Sequence, residues 1–139
     1  NPEHDDIFIK EAKLVATDSQ KVSIEEILQS LNTHIEGLEQ IAMIQRDGTL
    51  LAQLHLKAPN LQIGALLTEF AALTGEVCHA LERGANTEAV IKGQKRFLAL
   101  YRSNTLDIIL GIVGRAHTNF GLLNSGCRIA IQKIENLLS

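Results

Sequence analysis

The sequence predicts an α/β (α+β) domain: one five-stranded antiparallel sheet sandwiched between helices, in the order α-β-β-α-β-β-β-α. Three observations predict it. Helical patterns of apolar residues come before, between and after the strand-like runs. The pair Asp47-Gly48 is a hairpin signal between the first two such runs. Three more short runs precede the last helical pattern, and a single sheet between helical layers buries all of these faces at once.

Each element has a local reason. Residues 1–21 form a tail or docking segment. Ile7, Phe8, Ile9, Ala12, Leu14 and Val15 are apolar but hold no clean period, and Thr17-Asp18-Ser19-Gln20-Lys21 reads as a linker. The domain proper spans 22–139. Ser23 and Glu26 have the spacing of a capping box. Ile24, Ile27, Leu28, Leu31 and Ile35 follow on one stripe, so the first helix is expected at about 24–35, ended by Gly37. Leu38–Arg46 and Thr49–Leu56 are the hairpin strands, joined by a type I′ turn in which Asp47 and Gly48 both need positive φ. Apolar residues on both parities of the first strand imply a sheet covered on both faces.

Ala58-Pro59-Asn60 breaks the chain and Asn60 caps the long helix, Leu61–Arg83, which stops at Gly84. Its apolar residues fill an arc of about 180°, whereas a helix lying on one sheet needs about 100°. The surplus, carrying Leu66, Phe70, Leu73 and Val77, predicts cover by the same helix of a second copy. On the polar side Gln62, Glu69, Glu76 and Arg83 recur at seven-residue spacing, with Thr68, Ala72 and His79 beside them. That side is either a solvated face or a docking ridge.

Glu88–Gly93 is a weak, polar strand. Lys95–Arg102 alternates, and Leu106–Val113 is apolar enough for the sheet centre. Gly111 marks a close helix approach, and Gly114–Thr118 reads as a loop. Asn119 caps the last helix, Phe120 to about Leu138, whose stripe includes Leu123, Cys127, Ala130, Ile131 and Ile134. Leu122 and Ile129 lie off that stripe and offer a rival docking site.

Composition excludes several functions. The chain of 139 residues is one domain in length, with 45% hydrophobic and 21% charged residues. A net charge of -3 argues against nucleic acid or an anionic membrane as the main partner. With 4% aromatics and no Trp there is no base-stacking platform or carbohydrate groove. No run approaches the ~18 apolar residues of a membrane span, and the acidic start is unlike a signal peptide. Cys78 and Cys127 read as buried free thiols in a reducing compartment, so the protein is expected to be cytoplasmic. No Gly-rich phosphate loop is present. The five histidines (His4, His34, His55, His79 and His117) form no metal-ligand pair at helical spacing. No nucleophile, base and orienting group cluster. Accordingly no catalytic residue, metal or cofactor is expected.

The hairpin turning at Asp47-Gly48, the run Leu66-Leu67-Thr68-Glu69-Phe70-Ala71-Ala72-Leu73 and the closing Gly114-Arg115-Ala116-His117-Thr118-Asn119-Phe120-Gly121-Leu122-Leu123 together resemble the Roadblock/dynein light-chain family. The resemblance covers about residues 22–138; the polar third strand and the tail depart from the family pattern. It implies a non-catalytic homodimer, with the long helices packed together and the sheets joined through the third strand, at Val90 and Ile91. It also implies a Ras-like small GTPase as partner, with the protein acting as scaffold, activator of hydrolysis or exchange platform. The ridge of Thr68, Glu69, Ala72, Glu76, His79 and Arg83 is the expected contact surface. Arg83, Arg46 and Arg115 are conceivable arginine fingers. The alternative is a ligand-sensing module of PAS-like or profilin-like architecture, which needs a pocket between sheet and helix.

Overall fold

A computed structural model of the protein describes residues 15–57, 61–82 and 88–139. Within them the helices α1 (Asp18–His34), α2 (Ile63–Glu82) and α3 (Phe120–Leu138) are interspersed with five strands. These are β1 (Leu38–Gln45), β2 (Leu50–His55), β3 (Glu88–Lys92), β4 (Arg96–Arg102) and β5 (Ile108–Arg115). They form one sheet in the order β2-β1-β5-β4-β3, antiparallel throughout. The expected element order and architecture are both present.

The two central strands explain the two-sided sheet. Every residue of β1 is buried, and so is β5 from Ile108 to Gly114. On one face Ile41, Met43, Leu110 and Ile112 pack with Ile24, Leu28, Leu123, Cys127 and Ile134 of α1 and α3. On the other, Ile44, Leu100 and Ile109 pack with Leu67 and Ala71 of α2, and Ala42 and Val113 with Ile63. Alternate residues of one strand thus feed two cores. Gly111 is what lets α2 approach: a Cβ there would overlap the Leu67 side chain.

Five local expectations are corrected. The first helix begins at Asp18, not after Ser23. Thr17 is its N-cap: the Thr17 hydroxyl accepts from the Gln20 N–H at 3.1 Å and the Gln20 side-chain carbonyl accepts from the Thr17 N–H at 2.9 Å. This is a capping box with Gln in place of Glu. The polar stretch read as a linker is the exposed side of the first turn, and Gln20 Nε2 donates to the Leu137 carbonyl at 3.4 Å. The hairpin turn is one residue longer than a type I′ turn. The Gly48 N–H donates to the Gln45 carbonyl at 2.9 Å and the Gln45 N–H to the Thr49 carbonyl at 2.9 Å. Gly48 takes φ 92°, the arrangement of a three-residue loop with a left-handed last residue. Asp47 serves it through its side chain, accepting from the Thr49 N–H at 2.9 Å.

The last strand starts later than Leu106, whose N–H is held by the Ser103 hydroxyl at 2.9 Å in the preceding turn. It also runs on through Gly114 to Arg115. Gly114 is in the ladder, opposite Leu38 and Phe97, and a Cβ there would sit 2.7 Å from the Phe97 ring. The expectations for Asn60, Arg83, Gly84 and the apolar residues of 1–14 lie outside the described residues.

Candidate functional site

Helix α2 has three longitudinal faces. The first is the buried stripe of Ile63, Leu67 and Ala71. Phe70 is half-buried beside it, packed on the cluster of Ile44, Leu100 and Ile109. The second is an apolar shoulder left open by the described residues: Leu66, Leu73 and Val77 are 40%, 59% and 52% exposed. The third is the polar ridge. Glu69, Ala72, Glu76 and His79 are exposed on it. Thr68 is half-buried instead, its hydroxyl donating to the Gly64 carbonyl at 2.8 Å and lying against the Gly48 turn. Arg83 lies outside the described residues.

The shoulder is continued by the sheet edge. β3 is the last strand in the order, and Val90 and Ile91 on it are exposed. Ala89 and Ile91 stand opposite Leu100 and Leu98, two residues that pack toward α2. Ile91 therefore shares a face with Leu66, Leu73 and Val77. Two contacts that the sequence alone did not show hold this polar strand in place, both from α3. Arg128 grips Glu88 through both guanidinium and carboxylate ends, at 2.5 to 3.0 Å, which raises the pKa of Arg128. Lys92 Nζ lies 4.7 Å from the centre of the Phe120 ring. The sequence signal, Glu88 and Lys92 on one strand parity, is present, but their partners are far along the chain.

Arg102 and Arg46 are engaged in structure. Arg102 Nη2 donates to the Ala71 carbonyl at 2.6 Å; burial, with Arg46 nearby, lowers its pKa. Arg46 pairs with Asp107 at 3.2 Å. Arg115 stands opposite Arg96 in the strand register, at the opposite end of β5 from Ile108, whose β1 partner Gln45 adjoins Arg46. Cys127 is buried, as expected, whereas Cys78 is only half-buried. Burial pushes Cys127 up, and desolvation followed by Glu82 pushes Cys78 up. Among the described residues no three His, Cys, Asp or Glu side chains gather as a metal site, and no helix is long and apolar enough to cross a membrane.

No protein-family model matches the chain, and no curated protein matches it. Solved structures do. One described as MglB with tetrameric arrangement superposes with a TM-score of 0.80 at 20% identity, covering 92% of this chain and 96% of that one. The gliding protein MglB from Thermus thermophilus gives 0.79 at 20% identity, covering 92% and 97%. A Roadblock/LC7 domain from Streptomyces avermitilis gives 0.66 at 9% identity, covering 81% and 94%. The chain therefore has the Roadblock/LC7 fold, in a form similar to MglB. This is the fold that the resemblance of its motifs implied.

Proposed function

We propose that this protein is a homodimeric interaction module that regulates or scaffolds a Ras-like small GTPase, without chemistry of its own. The observation that carries the reading is the uncovered shoulder of α2, continuous with the exposed edge strand β3. A row of large aliphatic side chains beside an open sheet edge is costly in water and prone to promiscuous pairing. A two-fold copy relieves both at once, because such an interface presents the same patch from each side. The tetrameric arrangement named for one MglB structure is in keeping with a fold that associates. Pairing at the shoulder leaves the ridges of both α2 helices facing outward as one surface, where Glu69, Ala72, Glu76 and His79 stand exposed.

The partner class comes from the Roadblock resemblance, many of whose members bind Ras-like GTPases. A regulator needs no nucleotide loop of its own, and this sequence has none. The ligand-sensing alternative needs a pocket between sheet and helix, and at Gly111 that space is occupied by the Leu67 side chain. Affinity capture with the immobilised protein tests the proposal. A Ras-like GTPase should be enriched from native lysate, to an extent that changes with a GTP analogue, and lost when Glu69→Lys and Glu76→Lys are combined. Capture that ignores the double reversal would move the site off the ridge.

A further inference from the structure

The seam between α1 and α3, on the sheet face opposite α2, is an open apolar groove with a cavity of about 240 Å³. Ile27 and Ile35 stand on one wall and Leu122 and Ile129 on the other; the latter two are 53% and 52% exposed. Gly126 faces α1 closely: a Cβ there would lie 3.2 Å from Leu31 and 3.3 Å from Ile35. The groove continues past Ile27, Ser30 and Lys133 to Ser23 and Leu137. That end adjoins the N-terminus of α1, because Gln20 bonds to the Leu137 carbonyl there.

We propose that residues 1–14 of this same chain dock in this groove, seating Ile7, Phe8 and Ile9 against Leu122 and Ile129. Position is the first argument. The described chain begins at Val15, at the open end of the groove, and Ala16 is already buried. Length is the second. From Ser23 to Ile35 the helix rises about 18 Å, while residues 1–14 reach about 46 Å when extended. A segment turning back at Thr17 spans the groove with chain to spare. Chemistry is the third. Asp5 and Asp6 directly precede the apolar triplet, and Lys133 and His34 stand on the groove rim. The dimer surface proposed above lies across the sheet, so the inference stands whether or not the protein dimerises.

The test uses the full-length, isotope-labelled protein. Combining Ile7→Asp with Phe8→Asp, outside the described fold, should shift the backbone amides of Ile27, Ser30, Gly126 and Ile129. It should also raise the fluorescence of an added hydrophobic dye severalfold. The reciprocal variant, Leu122→Asp with Ile129→Asp, changes exposed positions, and it should send the amides of residues 5–10 to random-coil values. Shifts confined to the neighbours of the substituted tail residues would overturn the proposal. So would groove amides in the unaltered protein that move on dilution, which would seat a second copy there instead.

Discussion

Gly111 and Leu67 show how one absent side chain positions a helix. The Leu67 side chain occupies the space a Cβ at 111 would need, and both residues are buried on the α2 side of the sheet. Gly111→Ala should lower stability by about 1–3 kcal/mol, the usual cost of overpacking, read from the denaturant midpoint. Leu67→Ala should cost about 2–5 kcal/mol through its cavity. The double variant should cost less than the sum, because each change relieves the other. Cys127 and Tyr101 supply a second expectation at this scale. Burial pushes both pKa values up, and Tyr101 donates to Asn124 at 2.6 Å. Each group keeps its proton longer in the folded chain than in the unfolded one. Stability contributed this way is complete below the ordinary thiol value of about 8.5 and is lost as pH rises past it and past the tyrosine value near 10. Melting temperature should therefore fall on alkaline titration, and less steeply in Cys127→Ala.

Helix α1 separates two capping schemes that the sequence presents side by side. Thr17-x-x-Gln20 and Ser23-x-x-Glu26 have equivalent spacing, and only the first is used. Thr17→Ala should cost about 1 kcal/mol and Ser23→Ala within about 0.5 kcal/mol, measured as shifts in unfolding midpoint. The same pair explains what could be read from the sequence. Long apolar periods identified all three helices, both central strands and the close approach at Gly111, because burial imposes those patterns directly. The helix start was misplaced because a polar first turn looks like a linker when the tertiary bond from Gln20 to Leu137 is unknown. The hairpin loop was placed correctly but its turn type was not, since Asp47-Gly48 suits two loop lengths that differ by one residue. At the candidate site, the two-sided apolar arc of α2 was legible. The clamp of Arg128 on Glu88 was not, because it joins residues forty positions apart.

At the scale of the molecule, the described helices and sheet leave two apolar surfaces uncovered, on opposite faces. One is the α1/α3 groove, long enough for the chain's own first residues. The other is the α2 shoulder with the β3 edge, suited to a second copy. Reversing Glu69 and Glu76 on the outward polar ridge of α2 should leave the fold intact, within about 0.5 kcal/mol for each exposed position. Binding of the proposed GTPase partner, followed by titration calorimetry, should weaken at least tenfold, or about 1.4 kcal/mol. Unchanged binding in that variant, with loss in Leu122→Asp combined with Ile129→Asp, would place the partner on the last helix.

Everything proposed for function depends on the shoulder being an interface, and the mass of the particle in solution tests that directly. Light scattering on the purified protein at micromolar concentration should give twice the 15.2 kDa chain mass. Leu73→Asp combined with Val77→Asp, both at exposed positions, should return it to a folded single chain. A single-chain mass for the unaltered protein at that concentration would contradict the account.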